Sequence, residues 1–159
     1  MDILVSGNVK VRVSEIEDIT HIYRNMRDSD RNEIWASNHI FPMEALTSGF
    51  KNSVLCYTIE LDGRAIAMFG CVPNTLIGEE ASIWLLATDE LSKIRKKFVK
   101  QSKAFINLML EFYPHLMNYV DERNKESIKW LKWCGCQFGD TINYGAEGLP
   151  FRFFEFKRS

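Results

Sequence analysis

The sequence predicts an α+β fold: one mixed, mainly antiparallel sheet flanked by helices. Three observations carry this. Residues 54–61 and 64–72 are rich in strand formers and joined by Asp62-Gly63, a strong hairpin turn. Residues 92–113 repeat apolar side chains every three or four positions, as a long amphipathic helix set between two strands does. The element order is a strand, helices, three antiparallel strands, the long helix, a strand, a helix and two strands, too mixed for a doubly wound parallel sheet. With 159 residues, 46% of them hydrophobic, the chain can bury one sizeable core, and a single domain over residues 1–159 is expected.

Taken in order, Val9, Val11 and Val13 alternate with Lys10 and Arg12, the period of a half-buried strand. Ser14 and Glu17 read as a capping box opening a helix with Ile16, Ile19, Tyr23 and Met26 on one side. The Asp28-Ser29-Asp30 cluster starts a second helix carrying Arg31, Glu33, Ile34, Trp35 and His39, and Pro42 opens a third, running to Phe50. After the hairpin, Pro73, Asn74 and Gly78 mark a loose connection to an apolar strand at residues 81–87, placed centrally in the sheet. Pro114 ends the long helix, residues 116–121 form the next strand, and Asn124 is the N-cap of a short helix. Ser127, Ile128, Leu131 and Cys134 share one face of that helix, Gly135 supplies its left-handed end, and Cys136-Gln137-Phe138 begins another strand. Gly145, Gly148 and Pro150 form the loop before a last aromatic strand at residues 151–156.

A formal charge of −1 gives no global attraction to nucleic acid or anionic membrane. The four cysteines, Cys56, Cys71, Cys134 and Cys136, lie in or beside apolar segments without metal-ligand spacing, so free thiols in a reducing compartment and no metal site are expected. His21, His39 and His115 form no spaced set. The N-terminus lacks the pattern of a secretory signal and no apolar run reaches about 18 residues, so a soluble, cytosolic protein is expected.

The strand-helix-strand unit ending the chain resembles the GNAT acetyltransferases, which often carry Asn-x-x-Ala and then Gly-Phe at the positions of Asn124, Ser127, Gly135 and Cys136. The resemblance sharpens over residues 83–138. Trp84, the basic helix after Thr88, Asn118-Tyr119-Val120, Asn124, the run from Ile128 to Lys132 and Gly135 are similar to a GNAT-like family of small internal virion proteins of short-tailed bacteriophages. The resemblance implies a GNAT-like sheet whose central parallel strands splay apart, with the pantetheine of acetyl-CoA between them.

It further implies that Leu86, Ala87 and Thr88 border the cofactor, with Asn124 at the facing helix. The pyrophosphate would lie at the start of the long helix, where Ser92, Lys93, Arg95, Lys96 and Lys97 stand. Cations crowded at a helix N-terminus oppose its dipole, which a bound anion would offset; a solvated basic face balanced by Asp89 and Glu90 is the alternative. The family's glycine-rich loop is absent, because residues 88–93 read Thr-Asp-Glu-Leu-Ser-Lys. Leu131 stands where the family often has a tyrosine acid, leaving Tyr119, Tyr144 and Tyr57 as donors by sequence. For a base, Glu33 and Asp121 are the candidates; an exposed helix face and an ordinary polar turn are the alternatives.

Two functions therefore stand open: an acetyl-CoA-dependent N-acetyltransferase acting on an amine of a small molecule or protein, or a non-catalytic GNAT-fold module bound to a virion or host protein. Trp130 and Trp133, ringed by Lys125, Lys129 and Lys132, suit core or interface packing better than a nucleic-acid platform.

Overall fold

Asp62 and Gly63 both take left-handed backbone angles, φ 51° and 79°, and fold β3 (Leu55–Leu61) back on β4 (Arg64–Pro73). The computed structural model describes residues 2–159. Around that hairpin lie β1 (Asp2–Ser6), β2 (Val9–Val13), α1 (Asp18–Arg24), α2 (Asp28–Asn38) and α3 (Pro42–Asn52) before it. After it come β5 (Glu80–Ala87), α4 (Arg95–Phe112), β6 (His115–Asp121), α5 (Lys125–Trp133), β7 (Gln137–Tyr144) and β8 (Leu149–Lys157). The strands form one eight-stranded sheet in the order β1-β2-β3-β4-β5-β6-β8-β7, antiparallel throughout except for the parallel pair β5 and β6. This is the mixed, mainly antiparallel arrangement expected from the sequence, flanked by helices.

Alternation along the strands divides the core into two layers. Ile19, Ile22, Met26, Ile34 and Leu46 from α1–α3 pack on Ala65 and Met68 of β4. On the opposite face Ile106, Met109 and Leu110 of α4, with Leu131 of α5 and Cys134 at its end, cover Val11, Ile59, Ala67, Phe69 and Leu116. Each fully buried side chain of the size of Ile22, Leu46 or Leu116 contributes about 1.5–3 kcal/mol relative to exposure.

The structure corrects four local expectations. β1 was not anticipated: Ile3 and Val5 face solvent, so only Leu4 packs inward and the segment is too short to show a pattern. Ser14 caps nothing, because its hydroxyl lies 2.8 Å from Thr58 Oγ1, and α1 starts at Asp18 with Ile16 60% exposed. Asp18 instead organises the turn, accepting from Glu15 N–H at 2.8 Å, from Thr58 Oγ1 at 2.8 Å and from the Arg12 guanidinium at 2.9 and 2.7 Å. The long helix begins at Arg95 rather than Ser92, preceded by a 3₁₀ turn over Asp89–Ile94. His39, expected on α2, is its left-handed C-cap at φ 53°, stacked on Trp35.

Candidate functional site

β5 and β6 pair over only three positions, Glu80 with His115, Ala81 with Leu116 and Ser82 with Met117, and then separate. The strands fork where Asn118 inserts its amide: Nδ2 donates to Ile83 O at 2.8 Å and Oδ1 accepts from Tyr119 N–H at 2.8 Å. One side chain thus satisfies a backbone group on each strand that continued pairing would have satisfied.

The remaining backbone groups of the fork can be followed one by one. Thr88 N–H bonds Ile66 O and Asn74 N–H bonds Glu80 O, which fixes the even-numbered residues of β5 toward β4. Ile83, Leu85 and Ala87 therefore turn their backbone groups toward the fork. Ala87 N–H donates to Asp30 Oδ2 at 2.9 Å, and Ala87 O accepts from Arg27 N–H at 2.9 Å. Across the fork, Asp121 N–H donates to Glu33 Oε1 at 3.1 Å. Leu85 alone keeps both its N–H and its C=O without such a partner, among the described residues.

Glu33 is the side chain this geometry singles out. It projects from α2 into the fork and also accepts from Asn124 Nδ2 at 3.2 Å. Burial pushes its carboxyl up to about 7, against the two hydrogen bonds that favour the charged form, with Asp30 and Asp121 adding repulsion. A carboxylate poised there can exchange a proton at neutral pH. Asp121, the second candidate base, behaves oppositely. Burial pushes its carboxyl up, but hydrogen bonds from the Arg123 guanidinium and backbone N–H, at 2.6–3.0 Å, outweigh that and hold it low. It is an ionised anchor for the β6–α5 turn, and only its N–H reaches the site. Asp30 and Arg31 are not an exposed face either: Asp30 is buried against Arg27, and Arg31 caps Tyr23 O and Met26 O.

A cavity of about 630 Å³ passes through the fork. Asp30, Glu33, Trp84 and Leu86 line it from the α2 side, and Ile83, Leu85, Phe98 and Trp130 from the α4 side. A second space of about 760 Å³ lies between α4 and α5 and shares Arg27, Leu85, Phe98, Lys100, Ser127 and Trp130 with the first. The expected cofactor residues divide between these places. Ser92, Arg95 and Lys96 line the α4–α5 groove, where Lys100 and Lys129 join them, while Leu86 and Lys97 line the cavity. Lys93 turns to Glu90 at 3.6 Å, Ala87 is bonded to Arg27 and Asp30, and Thr88 is buried.

Thr88 also closes the turn that follows it. Its Oγ1 accepts from Glu90 N–H and its carbonyl from Leu91 N–H, so these amides are spent within the 3₁₀ turn rather than opened as a phosphate nest. A group placed at this turn would meet side chains rather than these two amides.

Asn124 Oδ1 accepts from Ser127 N–H at 3.2 Å, the cap expected from the sequence, while its Nδ2 holds Glu33. Asn124→Ala should therefore cost about 1 kcal/mol in chemical unfolding. An unchanged midpoint would show that the cap contributes nothing.

Of the three tyrosines, Tyr119 and Tyr144 stack at 4.3 Å and line the cavity. Burial, and then the neighbouring Tyr119, push the Tyr144 phenol up, so it stays protonated and able to donate. Tyr57 is buried with Phe69 and Phe105 in the core. Leu131 is buried and also lines the cavity. Trp130 donates to Ser102 Oγ at 3.0 Å and stacks on Phe98, whereas Trp133 is half exposed beneath Lys103. The cysteines are free thiols, and burial raises Cys71 and Cys136 to about 11 and Cys134 to about 12. Among the described residues no helix is long and apolar enough to cross a membrane.

Sequence reading missed Asn118 and Asp30 as determinants of the fork. The signal for Asn118 was a polar residue inside an apolar strand; for Asp30 there was none, since an acidic residue in a first helical turn is ordinary.

Comparison with known proteins bears on this geometry. The family model described as bacteriophage T7 probable scaffold protein Gp13 matches residues 56–142. The probable scaffold protein gp13 of Escherichia phage T7 is 30% identical over 111 residues, covering 67% of this chain and 78% of that relative. Among solved structures, Ard1 from Thermoplasma volcanium superposes with a TM-score of 0.74 at 18% identity, covering 96% of this chain and 99% of that one. A GNAT-family acetyltransferase from Bacillus anthracis gives 0.69 at 10% identity, covering 99% and 98%. Spermidine N-acetyltransferase from Vibrio cholerae, solved with CoA and spermine, gives 0.61 at 11% identity, covering 96% of each chain. At these identities the solved structures show the GNAT fold.

Proposed function

Because the chain belongs to the family of the bacteriophage T7 probable scaffold protein Gp13 and has the GNAT fold, we propose that it is a phage-encoded N-acyltransferase using acetyl-CoA or a related acyl thioester. The observation that carries this reading is the placement of Glu33, a carboxyl raised to about 7, at the mouth of a fork whose Leu85 backbone groups are unspent. Bound acyl-CoA would supply an activated acyl carbon.

The protein's own groups then have separable tasks. Glu33 accepts the proton that an amine must lose to become a nucleophile. Leu85 N–H faces the fork, where it can donate to an acyl oxygen. As the C–N bond forms and the C–S bond breaks, Tyr119 or Tyr144 can return a proton to the leaving thiolate, a task Leu131 cannot perform. Arg95, Lys96, Lys100 and Lys129 fit phosphate by charge, replacing the amides that the 3₁₀ turn has consumed.

Calorimetry with acetyl-CoA tests the reading. Binding should be salt-sensitive, and Arg95→Glu with Lys96→Glu should weaken it at least tenfold, since exposed charge-assisted contacts still contribute about 1 kcal/mol or more each. No binding at low salt, with the fold intact, removes the enzymatic reading.

A second reading has its own support. Leu76 and Ile77, on the turn between β4 and β5, are fully exposed, which suits a contact in particle assembly, and the T7 relative is described as a probable scaffold protein. On this reading the chain is found in purified virions by proteomics, and Leu76→Asp with Ile77→Asp reduces its incorporation.

A further inference from the structure

The cavity does not end at the fork. On the α4 side it continues under the helix, floored by Val9 and Val11 of β2, Ile59 of β3 and Phe69 of β4, and roofed by Phe105 and Ile106. The strand register explains the depth. Leu4, Val11 and Ile59 are direct neighbours across β1, β2 and β3, and the row continues as Ala67 and Ala87, whose methyl groups add no bulk. Interiors are close-packed, with few voids larger than a water molecule, so a cavity measuring about 630 Å³ from the fork to this floor is a candidate ligand space.

Its chemistry is apolar. Ser102 is the buried hydroxyl in the lining, and it is spent on Phe98 O at 2.6 Å and on Trp130 Nε1. Of the charged lining residues, Glu33 and the paired Arg27 and Asp30 lie beyond the fork, whereas the exposed Lys97 and Lys100 stand at the α4 rim. Lys100 borders both this cavity and the α4–α5 groove.

We propose that the space under α4 holds the aliphatic chain of a medium- or long-chain acyl group whose carbonyl end lies at the fork. This rests on the acyl-donor reading above and deepens it by naming the donor class. An apolar floor, a cationic rim and continuity with the Leu85 edge together match an acyl thioester or its free acid, and an acetyl group would leave the space unfilled.

Calorimetry with acetyl-CoA, decanoyl-CoA and decanoate separates the possibilities. Decanoyl-CoA should bind at least tenfold more tightly than acetyl-CoA, and Val11→Phe, which fills the floor, should remove that advantage. Lys100→Glu, an exposed substitution that leaves the core intact, should weaken decanoate at least threefold. Equal affinities for the two thioesters overturn the chain site and leave the proposed function standing. If neither thioester binds but decanoate does, and Val11→Phe abolishes it, the chain site stands while the CoA reading falls. If no probe binds the folded protein, both are overturned.

Discussion

Glu33→Gln should lower kcat/KM for acyl transfer by two to four orders of magnitude, the range a positioned general base contributes. The amide can still accept from Asp121 N–H through its oxygen, so the fork should keep its shape while losing the group that takes the proton. In the wild type, kcat/KM should rise with pH through about 7, as Glu33 ionises, and the variant should lack that limb.

A second measurement is independent of activity. Because burial raises the Glu33 carboxyl from 4.5 to about 7, the folded protein retains a proton that the unfolded chain releases across that window. Linkage then makes this group's contribution to stability fall as pH rises from about 4.5 to about 7, by up to about 3 kcal/mol. Asp121, whose folded carboxyl is held low, acts in the opposite sense at more acidic pH and is common to both proteins. From pH 4 to pH 8 the wild type should therefore lose stability relative to Glu33→Gln in urea unfolding. Parallel pH curves for the two proteins would refute the raised carboxyl.

Asp30→Ala should destabilise the protein by about 3–5 kcal/mol, the range for removing one partner of a buried, hydrogen-bonded ion pair. Asp30 is 3% exposed, and its two oxygens take Arg27 Nε and Nη2 and the Ala87 N–H at 2.9–3.0 Å. Burial pushes this carboxyl up while Arg27 pulls it down, so the pair contributes through geometry and satisfied donors more than through net charge attraction. Alanine leaves the guanidinium and the Ala87 N–H unpaired and loosens the end of β5, where Met26 bridges Thr88. Asn should cost less than half as much, because its oxygen can still serve Ala87 N–H. A loss below 1 kcal/mol for the alanine variant in urea unfolding would mean that the end of β5 is held by other contacts.

Both variants act on features absent from any local pattern. Glu33 was selectable as a candidate from its place on α2, yet an identical helix facing solvent would leave its carboxyl ordinary. The raised value comes from β6 and α5, 88 and 91 residues away in sequence, enclosing it. Ser14 shows the converse. Ser-x-x-Glu is a sound capping signature, but Thr58 on β3 and the demands of Asp18 and Arg12 drew the hydroxyl away.

By itself the sequence determined what depends on neighbours a few residues apart. The Asp62-Gly63 hairpin, the Asn124 cap, the Gly135 helix end at φ 91° and the amphipathic α4 follow from backbone preference and periodicity. The expectation of a central parallel pair that splays apart came instead from the resemblance to the GNAT acetyltransferases. Tertiary structure alone decided the rest. The fork opens at Asn118 because that amide satisfies both strands at once, and it stays open because Asp30 and Glu33 take the freed backbone donors. Similarly, Val11, Ile59 and Phe69 are ordinary strand residues in sequence, and only the register that brings their strands together under α4 makes them the floor of a cavity. Local propensity sets which segments become strand or helix, but burial, charge pairing and voids are properties of surfaces brought together from distant positions, and these are what give the site its chemistry.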